Sequence, residues 1–344
     1  MAARKSRMAT EIDESGGAVR RQLAANAGAA ADLGARLRAL APPFVVTIAR
    51  GSSDHSAHFL HHCIEVKLGL ATASIPPSIA SLYRAPLKLE GAAAIAISQS
   101  GASPDLVAMQ AAAKDAGALT VALVNDAQSQ LALEADALLP LHAGEERAVA
   151  ATKSVVASLV AGVSLVARWS EDAALVAALD RLPAILEAGS GGVQDGAFET
   201  LAHARSLFVI GRGPTLAVAA EAALKLKETS AIFAEAFSAA EVLHGPAGII
   251  APDFPVLGFA PIDAARGGFF ETLQRLASFG AAPLLIDVEP HPRWPTIVAP
   301  DCGHAFLTPI AELHAFYRLA EATARRLGRD PDQPPHLTKV TRTV

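Results

Sequence analysis

An uncharged apolar run, Ala92-Ala-Ala-Ile-Ala-Ile97, stops abruptly at Ser98-Gln99-Ser100-Gly101-Ala102-Ser103-Pro104-Asp105, and a long alanine-rich helical pattern comes after it. Such a run reads as a strand buried in a parallel sheet, followed by a tight loop and a helix start. The loop offers hydroxyls, backbone N–H groups and the positive end of a helix dipole to one point, which suits a dianion such as phosphate. It contains no Lys or Arg and lacks the Gly-Lys-Ser/Thr ending of a P-loop. A small phosphorylated metabolite therefore fits better than a nucleoside triphosphate. The competing reading is a plain helix cap, since Ser103 before Pro104 caps well on its own.

The same rhythm runs through the chain. Residues 10–40 read as amphipathic helices rich in Ala and Leu. Strand patterns at 44–49, 71–75, 92–97, 119–124 and 137–141 are interleaved with helical segments, and 152–169 reads as a long helix. The pattern then restarts: Ser206-Leu-Phe-Val-Ile210 leads into Gly211-Arg212-Gly213-Pro214, much as the first strand leads into Arg50-Gly51-Ser52-Ser53. Gly51 is aligned with Gly211 in this reading, and further strands are expected at 255–259, 283–288 and 304–308. The fold class is α/β, with two tandem domains, each a doubly wound, mainly parallel sheet flanked by helices. The expected divisions are a helical arm at 1–40, a first domain at 41–170, a linker at 171–200, a second domain at 201–330 and a tail at 331–344 that closes the active site. After residue 259 the second half has Ala260-Pro261-Ile262-Asp263 and no counterpart of the serine-rich loop. One half is expected to hold the phosphate and the other to supply something else.

Composition bounds the partners. A length of 344 residues, 51% of them apolar and 18% charged, allows two ordinary domains with full cores. The net charge of −5, with no basic run beyond the first few residues, argues against a nucleic-acid partner. Only Cys63 and Cys302 are present, so no disulfide framework exists and a reducing compartment is inferred. The basic start is followed by Glu11, Asp13 and Glu14 rather than an apolar segment, and apolar runs such as 155–166 are too short to span a bilayer. The expectation is a soluble cytoplasmic protein with no membrane partner. His55, His58 and His62 fall on one helical face beside His61, but no distant Cys or carboxylate set completes a zinc site. Packed imidazoles at a domain or subunit boundary are the simpler reading, and no metal or cofactor is expected.

Glu221, Lys225 and Glu228 share one face of a helix predicted over 214–230. In isolation this is a solvated stripe with a favourable Glu-to-Lys pairing. The weighting changes because His244 sits on a Gly245-Pro246 turn soon after the helix. A histidine held beside a carboxylate-bearing helix is a candidate acid–base group.

Five motifs in order then resemble the sugar isomerase (SIS) domain family, and within it the isomerase half of glutamine–fructose-6-phosphate aminotransferases. They are Arg50-Gly51-Ser52-Ser53; Ser98-Gln99-Ser100-Gly101-Ala102-Ser103; Val149-Ala150-Ala151-Thr152-Lys153; Glu221-Ala-Ala-Leu-Lys225-Leu-Lys227-Glu228 followed by Glu235-Ala236 and His244-Gly245-Pro246; and Asp332-Gln-Pro-Pro-His-Leu-Thr338-Lys339. The resemblance implies that Ser98, Gln99, Ser100 and Ser103 hold a sugar phosphate, with Ser53 near the sugar. It implies that Glu228 moves a proton between C1 and C2, helped by Lys225, and that His244 opens the sugar ring from the partner subunit of a homodimer. Val149 and Thr338 are implied to line the sugar through backbone atoms, with Lys339 at the reacting carbon. Ala102 stands where the aminotransferases carry an acidic residue and Ala151 where they carry a Ser, which leaves one sugar contact in doubt.

The aminotransferases open with a catalytic cysteine and a glutaminase domain, whereas Met1 here leads into a short helical arm. The expected activity is therefore the reverse direction, from glucosamine-6-phosphate and water to fructose-6-phosphate and ammonia. Aldose–ketose isomerisation or deglycation of a fructosamine phosphate are alternatives on the same site. A sugar-phosphate sensor without chemistry is the alternative of a different class, but residues 1–40 are too short and alanine-rich for a helix-turn-helix.

Overall fold

The computed structural model describes residues 5–189 and 195–339. In chain order the first part runs α1 (Arg7–Asp13), α2 (Ser15–Leu40), β1 (Val45–Ile48), α3 (Ser52–Leu68), β2 (Thr72–Ser74), α4 (Ser78–Ser81), β3 (Ala93–Ser98), α5 (Pro104–Asp115), β4 (Leu119–Val124), α6 (Gln130–Glu134), β5 (Ala137–Pro140), α7 (Lys153–Trp169) and α8 (Ala173–Ala188). The second part runs α9 (Asp195–Ala202), β6 (Ser206–Gly211), α10 (Pro214–Lys225), a π-helical turn (Leu226–Ser230), β7 (Phe233–Ser238), β8 (Phe254–Phe259), α11 (Arg266–Ser278), β9 (Ala281–Asp287), β10 (Thr296–Val298) and α12 (Thr308–Arg326), with 3₁₀ turns at Glu241–Leu243 and Pro246–Ile249. Two compact units result. One contains Gly17–Glu146 and Lys153–Pro183; the other contains the described residues up to Gly16, Arg147–Thr152 and Ala184–Lys339. We call them the serine-loop unit and the lysine-helix unit after the side chains described below.

In the serine-loop unit five parallel strands lie in the order β2-β1-β3-β4-β5. Every residue of β3 and β4 is buried, which explains their uncharged, mostly apolar sequences: helices cover both faces, so neither face carries a charge. Val46, Ile48, Ala94, Leu106, Met109 and Leu131 form part of one core between the sheet and its helices.

The lysine-helix unit repeats the plan, with parallel strands in the order β10-β9-β8-β6-β7. Its core gathers Phe208, Val256, Phe269, Leu273 and Leu285. The repeat has a different register from the one read in sequence. Gly51, the cap of α3, has φ +53° and ψ −132°, and Gly213, the cap of α10, has φ +60° and ψ −135°. Only glycine adopts this conformation without strain, so Gly51 corresponds to Gly213, not Gly211, and Arg50 corresponds to Arg212.

Two strands also differ from expectation. Residues 304–308 are not a strand: the His304 carbonyl accepts from the Leu307 and Thr308 N–H groups and its Nδ1 from the Phe306 N–H, a turn that leads into α12. The fifth strand is instead the short β10. At the other edge β7 pairs only with β6 and leaves Phe233 65% exposed. Its Phe-Ala-Glu-Ala-Phe-Ser sequence lacks the apolar run of a central strand, and Glu235 puts a charge on one of its faces.

Candidate active site

In the serine-loop unit the strand order reverses between β1 and β3, so the loops after these two strands flank a crevice at the C-terminal edge of the sheet. The loop after β1 carries Arg50 and Gly51, and the first turn of α3 carries a half-buried Ser53. β3 ends on buried Ser98, and the loop after it carries half-buried Gln99, Ser100 and Ser103. The Ser98 Oγ accepts from the Gly101 N–H at 3.0 Å and the Ser100 Oγ from the Ala102 N–H at 3.4 Å. A hydroxyl that accepts a backbone N–H still has its own proton to donate, so both remain donors for an anion.

Gly101, at φ +60°, is required here, because a Cβ would lie 2.1 Å from the Ser129 Oγ. Ser103 precedes α5 without donating or accepting a side-chain capping bond, contrary to the plain-cap reading. Asp105 replaces it in the first turn. Its side chain is fully buried, accepts from the Leu106 N–H, and holds the Arg50 guanidinium through Nε at 3.1 Å and Nη2 at 2.9 Å. A cation absent from the serine loop itself is thus fixed at the head of the helix behind it. The two residues stand far apart in the sequence and nothing there pairs them; the available signal is an acidic residue in the first turn of a helix that comes after a parallel strand.

In the lysine-helix unit, α10 widens into a π turn immediately after Lys225. Insertions of this kind recur at functional sites because they re-aim side chains. Lys225 is fully buried and forms ion pairs with Glu221 at 3.5 Å and with Glu228. Glu221 is also buried and accepts from the Tyr317 hydroxyl at 3.2 Å, while the Glu228 side chain keeps 19% of its surface exposed. The solvated-stripe reading fails on this burial. A lysine out of water persists only when carboxylates compensate it, and here the sheltered Glu221 anchors it while the more open Glu228 faces outward.

Val149 lies in the irregular stretch before α7, half-buried, and its N–H donates to the Asp332 carbonyl at 3.1 Å. Beyond α12, Thr338 is exposed and Lys339 half-buried. His244 ends the 3₁₀ turn Glu241–Leu243, followed by Gly245 at φ +130°. It is exposed, and its imidazole has no hydrogen-bond or ion-pair partner among the described residues.

A model of the SIS domain matches residues 44–168 and 200–319, one copy on each sheet. The chain belongs to the SIS domain family. Glutamine–fructose-6-phosphate aminotransferase (isomerizing) of Zymomonas mobilis is 32% identical over 312 residues, 86% of this chain and 51% of the relative. The Rhizobium leguminosarum enzyme of the same name is 35% identical over 266 residues, 72% of this chain and 43% of the relative. The chain spans about half the length of the curated relatives it matches. Among solved structures, a Silicibacter pomeroyi protein provisionally called a phosphosugar isomerase shares 46% identity with a TM-score of 0.90, covering 95% of this chain and 100% of that one. Glucosamine-6-phosphate deaminase of Thermotoga maritima, at 21% identity, TM-score 0.75, and coverage of 98% and 100%, shows the same fold.

The histidines of α3 and the two cysteines of this SIS chain have contacts of their own. On α3, His61 Nε2 is 2.7 Å from the Thr47 Oγ1, and His58 lies 3.8 Å from Asp54. Burial, then neighbouring His58, holds the His61 imidazole below its usual pKa. No group of three His, Cys, Asp or Glu side chains among the described residues is arranged to hold a metal ion. Cys63 and Cys302 are buried and unbridged, and burial pushes the Cys302 thiol up to about 12. No described helix is long and apolar enough to cross a membrane.

Proposed function

We propose that this chain transfers a proton between C1 and C2 of a 6-phosphosugar, and that the sugar is glucosamine-6-phosphate, converted with water to fructose-6-phosphate and ammonia. The observation that carries the reading is Lys225, buried between an anchored Glu221 and a partly open Glu228 at a π turn. A carboxylate held by a buried cation at fixed geometry is suited to taking a carbon-bound proton. The names of the relatives, an isomerizing fructose-6-phosphate aminotransferase and a protein provisionally called a phosphosugar isomerase, support a phosphosugar and an isomerisation. The Ser98, Ser100 and Ser103 hydroxyls, with Gln99 and the nearby Ser53, supply the phosphate and sugar contacts.

Each step draws on one of these groups. His244 protonates the ring oxygen while the C1 hydroxyl gives up its proton to water, which opens the pyranose to the aldehyde. Glu228 then removes the C2 proton, exchanges it with water and delivers a proton to C1, while a proton passes from the amine to the C1 oxygen; this leaves a C1 alcohol and a C2 imine, and Lys225 keeps the carboxylate oriented. Water adds to the imine and ammonia leaves. Val149 and Thr338 line the sugar through backbone atoms, and Lys339 stands at the reacting carbon. A second reading, aldose–ketose isomerisation without loss of nitrogen, draws on the name of the 46% identical protein. Ammonia release across hexosamine 6-phosphates, run beside glucose-6-phosphate and fructose-6-phosphate interconversion, separates the two. Release from glucosamine-6-phosphate supports the first; interconversion with no release supports the second.

We further propose that the working unit is a homodimer in which His244 serves the partner's site, and that the enzyme is cytoplasmic with no nucleic-acid partner. The exposed imidazole without a partner in its own chain's described residues supports the first point, and the net charge of −5 supports the last. Mixing Glu228→Gln with His244→Ala protein should restore activity through exchanged subunits. No recovery, with exchange shown independently, places both residues in one subunit's site.

A further inference from the structure

The stretch Arg147–Thr152 lies between β5 and α7, immediately before α7, and belongs to no helix or strand. Its backbone N–H groups need partners from elsewhere, because a buried orphan N–H is costly. Three successive ones find them in two acidic residues remote in sequence. The Arg147 N–H donates to the Glu11 carboxylate, the Ala148 N–H to both Glu11 oxygens at 3.3 Å, and the Val149 N–H to the Asp332 carbonyl at 3.1 Å.

Both acidic residues are themselves held. Glu11 lies on α1 and is only 6% exposed. The Asp332 carboxylate accepts from the Arg7 and Met8 N–H groups, each at 2.8 Å, at the start of the same helix. Farther along α1, the Ile12 carbonyl is bound by the His314 Nε2 at 3.0 Å, and Asp13 pairs with Arg318 at 2.8 Å, both on α12. The first helix, which lies outside the residues matched by the SIS model, is therefore fastened to α12 on one side and holds the Val149 stretch on the other.

We propose that Glu11 is a positioning residue for the reaction: its carboxylate sets the backbone of Arg147 and Ala148, and thereby the placement of Val149 against the sugar. The inference rests on the reading above, in which Val149 lines the sugar. Apolar packing would bury the stretch equally well without fixing its peptide orientation, whereas a carboxylate aimed at two adjacent N–H groups fixes that orientation. The burial of a charged group at this point has a reason if the peptide planes must be accurate and not merely covered.

The test uses the full chain with Glu11→Ala and Glu11→Gln, read by steady-state kinetics on glucosamine-6-phosphate and by hydrogen exchange of peptides spanning 147–152. Glu11→Ala should speed exchange there and raise KM about tenfold, as expected for lost charge-assisted hydrogen bonds. Glu11→Gln keeps one acceptor oxygen and should recover most of the KM. A purely structural role would lower the melting temperature and leave the KM of the folded fraction unchanged. If the alanine variant fails to fold, Glu11→Asp, one methylene short with its charge kept, should show the raised KM. Faster exchange with wild-type KM and kcat overturns the inference alone, and so does unchanged exchange. A wild-type protein inert toward all hexose and hexosamine 6-phosphates removes the reading beneath it.

Discussion

The loops after β3 and after β8 occupy the same place in the two sheets, each between a central parallel strand and the helix after it, and their chemistry is opposite. After β3, three serines surround Gly101, and the hydroxyls of Ser98 and Ser100 accept backbone N–H groups while keeping protons to donate. After β8, the helix start is closed by its own side chains. Arg266 reaches back to the Pro261 carbonyl at 3.2 Å, grips both oxygens of Asp287 at 2.9 Å each, and meets Glu289 at 2.9 Å. Nearby, Glu312 is fully buried, with no hydrogen-bond partner for either oxygen among the described residues. Burial, then Asp287, pushes its carboxyl well above the usual range against the pull of Arg266. The loop after β8 is closed by an internal ion pair where the loop after β3 keeps free hydroxyl donors, and the function proposed above gives phosphate binding to the serine-loop unit and proton transfer to α10.

This division breaks most visibly at Glu228. Glu228→Gln keeps the shape and removes the base, so kcat should fall by roughly 10²- to 10⁴-fold with KM little changed. A rise in KM alone would move Glu228 to the binding side. Lys225→Met strips the cation from two carboxylates, one of them fully buried. Unfolding in urea should show a loss of about 3–5 kcal/mol, and a variant of wild-type stability would mean that the triad is not an ionic unit.

Ser100→Ala should act through KM, by roughly ten- to a hundredfold, since a hydrogen bond to a charged group contributes about 1.5–3 kcal/mol. Equal loss with unphosphorylated glucosamine would deny the loop its phosphate. The smallest effect sharpens the contrast from the sealed side. Burial raises the Glu312 carboxyl in the folded state, so above pH 4.5 the folded chain holds this proton more tightly than the unfolded chain does. The folded state then binds more protons, so this residue lowers stability increasingly above that pH. Glu312→Met should therefore raise stability by about 1–3 kcal/mol at neutral pH, and by less at pH 5. Melting curves at the two pH values check this, and kinetics on the phosphosugar should not change.

Much of this was legible in the chain. β3 and β4 announce themselves because burial on both faces leaves no place for charge, and the Ser-Gln-Ser-Gly-Ala-Ser loop stands out against them. β7 did not, because an edge strand with one neighbour tolerates Glu235 and an exposed Phe233. The repeat register slipped by two residues because only backbone conformation tells Gly213 from Gly211. The charges on α10 looked like a wet face, since a sequence does not reveal Tyr317 arriving from α12 to share Glu221. Glu11 reads in the sequence only as one acidic residue after the basic start, because its partners are the N–H groups of a stretch with no pattern of its own.

The central claim is that proton transfer at C2 depends on a phosphate held by the serine loop. Wild-type protein incubated with glucosamine-6-phosphate in deuterium oxide, with the sugars followed by proton NMR, tests it directly. The account predicts deuterium at C1 of the fructose-6-phosphate formed, with glucosamine lacking the phosphate left unlabelled. Labelling of unphosphorylated glucosamine at a comparable rate, or product carrying no solvent deuterium while Glu228→Gln remains active, would contradict it.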